Sequence, residues 1–414
     1  MKAEQLSDAL NDLDDGIIGE TGKLREVRKR RGGTWKRWAA AAACLCVVLA
    51  AALAVLERLG RGAPTPELPG PGHIDPELLP LPLPELGGGY GFEGILLYDI
   101  SELGGGSPWN ESMELTHLPV YENHSYHLAG FPVGLGEYAV LERLEEATRA
   151  LDAEILDLEY EWEGCIISQI PAAGPIIDQI PADTGAFGPF VRIMAHADGI
   201  RIAAYADGSV RVAFDGGLPL PEGYRFADDA TDAEAEAALD YLAKRFSKLL
   251  GFSQPRTALS GEYDFGGTFH RGYAVYDGGS DMEAILNYSF RSAEFFPDKD
   301  GNLAAISLSD SLACARELGG YPIITADEAR ALLLNGGYIT SVPYKAPDAD
   351  YVAGVELAYR NSKADEYFLP YYRFYVELPE EARDNGLKTY GVYYVPAVWE
   401  RYIANMPVYD GGFN

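Results

Sequence analysis

His117, His124 and His127 fall within the stretch HLPVYENHSYH, with Glu122 among them. Imidazoles and a carboxylate can bind zinc, and His124 and His127 are three apart. The stretch reads as a strand or loop, however, where side chains three apart leave on opposite faces. No metal site is assigned. DKDG, from Asp298, opens like a calcium loop. Its glycine comes three residues after the first aspartate instead of five, and no glutamate stands at the twelfth place. It reads as a turn. The chain has no G-x-S-x-G, no HExxH, no phosphate-cradling glycine pattern and no Cys/His nucleophile arrangement. A glycosidase-like carboxylate pair need not be close in sequence, so spacing leaves that chemistry open. No catalytic residue and no cofactor are assigned.

The 27 tyrosines are more informative. In YFLPYYRFYVEL, strand alternation puts Tyr372, Phe374, Val376 and Leu378 on one face and Tyr371, Arg373, Tyr375 and Glu377 on the other. The first set is core-like. The second predicts an exposed aromatic surface, with Tyr371, Arg373 and Tyr375 as ligand-binding residues for a peptide or glycan. The competing reading is a solvated sheet face carrying ordinary cross-strand tyrosine pairs.

The elements that would position this surface alternate along the chain. GEYAVLERLEEATRALD, from Gly136, has an apolar stripe of helical period, and Glu154 to Trp162 alternates as a strand. IISQIPAAGPIIDQIPADTG (166–185) is a tandem near-duplication, read as a loop or irregular hairpin. VRIMAHADGIRIAAYADGSVRVAFDGG (191–217) carries Asp-Gly at 198–199, 207–208 and 215–216, the turn signals of an antiparallel meander. Thr231 and Glu234 form a capping box ahead of Ala235, Leu239, Leu242, Phe246 and Leu249, and Gly251 closes that helix. A hairpin is expected through FPDKDGNLAAISL. Thr325 and Glu328 start a third helix, which Gly336-Gly337 ends, before GVELAYRNS, YFLPYYRFYVEL and YGVYYVPAV. The fold class is α+β, with helices packed on one face of antiparallel sheets.

Upstream, Trp38 to Leu56 contains no charged side chain. At the helical rise this run spans roughly 28 Å, close to the hydrocarbon thickness of a bilayer. It is long for a signal-peptide core and is preceded by an unusually long polar segment. Ala52-Leu53-Ala54 imitates a cleavage site, and Ala41-Ala42-Ala43-Cys44 lacks the leucine that opens a lipobox. The expectation is an uncleaved transmembrane helix over 38–57. Lys23, Arg25, Arg28, Lys29, Arg30, Arg31, Lys36 and Arg37 precede it, against Arg58 and Arg61 beyond. That asymmetry puts residues 1–37 in the cytoplasm and the remainder outside the cell.

Eight prolines between Arg61 and Gly91 predict an extended stalk over 58–91. Two extracytoplasmic lobes follow, 92–225 and 226–414. The formal net charge is -30, which argues against nucleic acid as a partner. Of 4 cysteines, Cys44 and Cys46 lie in the apolar run, and Cys165 and Cys314 beyond it are candidates to pair. Leu6, Leu10, Leu13 and Ile17 form one apolar stripe on a helix that cannot bury it alone. These four are the predicted contact for a cytoplasmic protein partner; a surface-lying tail is the alternative.

LSDALNDLDDGIIGET, with the basic run and the Ala-rich span containing CLC, resembles the N-termini of membrane-bound anti-sigma-factor-like proteins of Gram-positive bacteria. Ile324 to Trp399, a helix and then strands ending in YYVPAVW, resembles the C-terminal modules of YycH/YycI-type regulators and PepSY-like domains. The resemblance implies a single-pass membrane regulator whose inner partner is a sigma factor or a kinase. The rival expectation is an extracytoplasmic envelope-binding or assembly protein, and less so a cell-wall hydrolase.

Overall fold

The structure, a computed structural model, describes residues 78–84, 95–98, 106–125, 134–163, 165–169, 190–264, 267–340, 342–362, 365–381, 386–409 and 411. All of them belong to one compact unit, Asp75–Asn414. The apolar run 38–57, the stripe Leu6, Leu10, Leu13 and Ile17, and His127 lie outside the described residues. Among the described residues no helix is long and apolar enough to cross a membrane.

In chain order the strands are β1 (Ile95–Tyr98), β2 (His117–Asn123), β3 (Ile155–Trp162), β4 (Cys165–Gln169), β5 (Phe190–Ala197), β6 (Ile200–Tyr205), β7 (Val210–Leu218), β8 (Pro255–Tyr263) and β9 (Phe269–Asp277). They continue as β10 (Ser292–Pro297), β11 (Leu303–Leu308), β12 (Ala315–Pro322), β13 (Ile339–Thr340), β14 (Val352–Tyr359), β15 (Tyr367–Phe368), β16 (Pro370–Glu377) and β17 (Lys388–Pro396). The helices are α1 (Glu137–Ala150), α2 (Asp232–Arg245), the short α3 (Ser247–Leu250), α4 (Asp281–Phe290) and α5 (Ala326–Leu334). This is an α+β fold with antiparallel sheets. One sheet runs β14-β16-β17-β1-β8-β9-β10-β11-β7-β6-β5-β3-β4, with β13 beside β17, and a smaller one runs β12-β2-β15.

Local chemistry accounts for most of these elements. Two of the Asp-Gly pairs turn the β5–β6–β7 meander, with Gly199 and Gly208 at positive φ. The third, Asp215-Gly216, lies inside β7. Gly216 and Gly217 both have positive φ, and the β7–β11 register slips there, so this pair makes a bulge and not a turn. Asp298 makes the turn between β10 and β11, its Oδ1 accepting from the amides of Asp300 at 2.8 Å and Asn302 at 2.9 Å. Capping boxes start α2 and α5 as expected. A third, Ser280 with Glu283, starts α4, whose S-x-x-E signal stood in the sequence unread.

The cores do not divide at 225/226. Val140 and Leu144 of α1, Leu239 and Leu242 of α2, and Val212, Val275 and Phe295 from β7, β9 and β10 share one hydrophobic cluster. α1 and α2 therefore cover the same face of the β3–β11 region. α4 departs from the one-face expectation. Tyr273 and Val275 point into that first core, while their alternating neighbour Tyr276 packs with Ala258 and with Ala284 of α4 on the other side.

The expected stalk is also partly built into the fold. Leu81 pairs in parallel with Ile403, its amide donating to the Tyr402 carbonyl at 2.8 Å and its carbonyl accepting from Ala404 at 2.8 Å. Asn405 brackets Leu83 through both its amide atoms, at 2.7 and 2.9 Å. Leu81 and Leu83 are buried. Proline-rich sequence forbids a helix or a central strand, but an extended edge segment with apolar side chains can still dock.

Candidate functional site

Alternation along β16 is as the sequence predicts: Tyr372, Phe374 and Val376 enter one core, Tyr371 and Tyr375 the opposite side. The expected exposure is not found. Tyr371 is 2% and Tyr375 6% exposed, so they present no open platform. Leu81, Leu83, Leu369, Tyr402 and Ile403 cover them, all distant from β16 in sequence except Leu369. Burial pushes the Tyr371 phenol far up from its ordinary value.

That covered face holds charge. Glu356 on β14 lies opposite Arg373 on β16, which lies opposite Tyr394 on β17. Glu356 Oε1 accepts from Arg373 Nε at 2.5 Å and from the Tyr375 hydroxyl at 2.6 Å, while its Oε2 is buried without a hydrogen bond. Beside it Arg360 grips Asp365 through Nε at 3.2 Å and Nη2 at 3.4 Å, and its guanidinium sits 5.4 Å from the Tyr394 ring centre. Burial raises the Asp365 carboxyl, against the Arg360 charge that lowers it. Buried ion pairs contribute little net stability but are costly to break.

Two histidines of the stretch, His117 and His124, are described. β2 spans 117–123, so His117 begins the strand and His124 lies just past its end, hydrogen-bonded to Glu122 at 3.2 Å. The Glu122 carboxyl is lowered first by Arg316 and then by His124. Among the described residues no three His, Cys, Asp or Glu gather to hold a metal. Cys314 is a free, buried thiol, raised by that burial, with Sγ 3.4 Å from the Ala206 carbonyl oxygen.

The cleft that sequence reasoning missed lies at one end of the β7–β11–β10 strands. A cavity of about 760 Å³ is lined there by Arg143 and Arg149 of α1, Lys248 of α3, Arg291 at the end of α4, and Asp310 after β11. Leu249, Phe252 and Leu308 give it an apolar floor. Asp310 is shared: Oδ2 accepts from Arg143 Nη2 at 2.9 Å and Oδ1 from Arg291 Nε at 3.1 Å. Arg143 also donates to the Gly208 carbonyl at 3.0 Å. Gly208, at φ +89, lets the β6–β7 turn approach closely, since a Cβ there would meet Ala313 at 2.7 Å and the Asp310 carbonyl at 2.8 Å.

A second cavity of about 550 Å³ adjoins it, lined by Asp198, Ile200, Phe214, Asp215, Leu218 and Arg245. The two share Ala150, Asp152 and Lys248. Between them Lys248 Nζ approaches Asp152 at 3.9 Å, with side chains 76% and 86% exposed, so the partition is a solvated ion pair. Asp152 has φ +52, the one positive-φ residue other than glycine among the described residues. Its amide donates to the Arg149 carbonyl at 3.2 Å, just past the C-cap Leu151 of α1. The sequence hint was the placing of Arg143 and Arg149 in an otherwise acidic helix; Asp310 and Arg291 are added only by folding.

No known family model matches the chain, and no curated protein matches it.

Proposed function

We propose that this chain is a single-pass membrane regulator, anti-sigma-like or associated with a sensor. Its outer α+β unit binds a ligand, and its inner segment holds a cytoplasmic protein through Leu6, Leu10, Leu13 and Ile17. The uncharged run 38–56 and its basic N-terminal flank support the orientation, with the N-terminus inside and the acidic unit outside. The observation that carries the coupling is the docking of Leu81 and Leu83 against residues 402–405, soon after that run. In this reading a rearrangement at residues 402–405 is felt at Leu81 and Leu83.

The test has two arms. Protease added to intact, wall-stripped cells should digest the unit and spare residues 1–37; a mature form beginning near residue 55 would overturn the topology. Leu10→Asp with Leu13→Asp should abolish recovery of the inner partner and its transcriptional effect while leaving membrane insertion unchanged. An unaltered transcriptional response would overturn the regulatory reading.

A further inference from the structure

We infer that the paired cavities form a binding groove for a short linear peptide with free termini, its C-terminal carboxylate in the Arg143–Arg291 chamber and its N-terminal ammonium near Asp198. This deepens the proposed function by naming what the outer unit takes, and rests on it only for the groove's placement outside the cell.

Charge is the first argument. The chain carries 63 acidic and 33 basic residues, yet the larger chamber has four cations, Arg143, Arg149, Lys248 and Arg291, against Glu146, Asp152 and Asp310. With the Lys248–Asp152 partition cancelling itself, that chamber keeps a positive excess. The smaller chamber has the reverse, Asp198 and Asp215 against Arg245. Arg201, at 3.2 Å, already pairs with Asp215, and Asp198 at the hairpin turn has no ion-pair partner among the described residues. The groove therefore has a positive excess in the larger chamber and, in the smaller, one carboxylate without an ion-pair partner among the described residues, Asp198. A ligand with one charge at each end fits that field in a single direction.

Cations at helix C-termini ordinarily offset the helix dipole, as Arg149 does in the last turn of α1 and Arg291 at the C-cap of α4. Of the cations lining this cleft, Arg149 has no ion-pair partner among the described residues. Asp310 already holds two guanidiniums, so an entering carboxylate finds donors fixed in position and only partly neutralised. Shape and lining give the remaining argument. Each chamber has its own apolar floor, Leu249, Phe252 and Leu308 in one, Ile200, Phe214 and Leu218 in the other. Two floors in tandem, separated by a displaceable surface pair, suit successive apolar side chains on an extended backbone. Cavities of this size take ligands of a few hundred daltons.

The test uses the full chain in detergent and calorimetric titration with the tetrapeptide Ala-Phe-Leu-Ala. The free peptide should bind. Amidating its C-terminus should weaken binding about tenfold, and acetylating its N-terminus should weaken it severalfold. Arg291→Ala should reproduce the loss for the free peptide and leave the affinity of the amidated one unchanged, with an unaltered melting temperature showing that the unit remains folded. Asp198→Asn should do the same for the N-terminus. Equal affinity for free and blocked peptides, or no binding at about 10 mM, overturns the inference. Because binding is measured in detergent, these outcomes are independent of the topology assay.

Discussion

The β3–β11 region and the β14–β16–β17 region are built from the same alternating strands but differ in how many faces they bury. In the first, α1 and α2 cover one face, and the other carries Arg192, His196 and Arg201 toward water, with partners such as Glu161 and Asp215. In the second, α5 and α4 cover one face while residues 81–83 and 402–403 cover the other. The first region packs aliphatic side chains and alanine together with aromatics such as Tyr160, Trp162, Phe246 and Phe295. The second uses tyrosines whose hydroxyls reach backbone acceptors, Tyr372 to Ile324 at 2.8 Å and Tyr393 to Tyr344 at 3.0 Å. A two-sided core needs side chains that are apolar along their length and satisfied at the tip, and tyrosine supplies both.

The sharpest way to break this contrast is to treat the two regions alike. Tyr371→Ser with Tyr375→Ser should cost several kcal/mol in urea unfolding, since deleting a buried aromatic typically costs about 3–5 kcal/mol. His196→Ser with Arg201→Ser on the open face should stay within about 0.5 kcal/mol per site. Similar losses in the two regions would erase the distinction.

Next in size is the segment that makes the second region two-sided. Leu81→Ala should destabilise by about 2 kcal/mol or more. Amide exchange should accelerate in β16 and β17 and remain unchanged in β5–β7. Uniform acceleration would mean the two regions open as one.

The smallest expected effect is on acidity. Glu234, at the start of α2, has its carboxyl lowered first by the Thr231 amide and then by the Thr231 hydroxyl. A lowered carboxyl contributes stability above its ordinary value of 4.5, and that contribution is lost as pH falls through the folded value. Asp365 has the opposite sign, because its raised carboxyl binds a proton more readily folded than unfolded. Stability at that site falls as pH rises above the ordinary value of 3.8 and is regained on acidification. Exchange measured between about pH 6 and pH 3 should therefore show the start of α2 loosening first. Earlier loosening around Arg360 would reverse the assignment.

These contrasts mark what the sequence could convey. Hairpins, capping boxes and the alternation of β16 were legible because turn chemistry and side-chain period are local. The S-x-x-E ahead of α4 was equally local and went unread between stronger strand signals. The covering of Tyr371 and Tyr375 was not legible, because Leu81 and Tyr402 are far from β16 along the chain and a period of two separates faces without saying what meets each. Asp215-Gly216 shows the same limit: positive φ serves a hairpin turn or a bulge equally. The groove was hardest to see, since Arg143, Lys248, Arg291 and Asp310 come from separate elements.

The parallel seam between Leu81 and Ile403 has a mechanical consequence. The first described stretch of the chain, residues 78–84, lies beside residues 402–405 near its last. Tension applied from the residue-74 side meets the Leu81 and Leu83 hydrogen bonds to Tyr402, Ala404 and Asn405 first. The next described strand along the chain, β1, lies inside the long sheet between β17 and β8. Such a junction yields bond by bond, and its release uncovers Tyr371 and Tyr375, so it behaves as a clasp whose threshold is set by a few backbone contacts and two leucines.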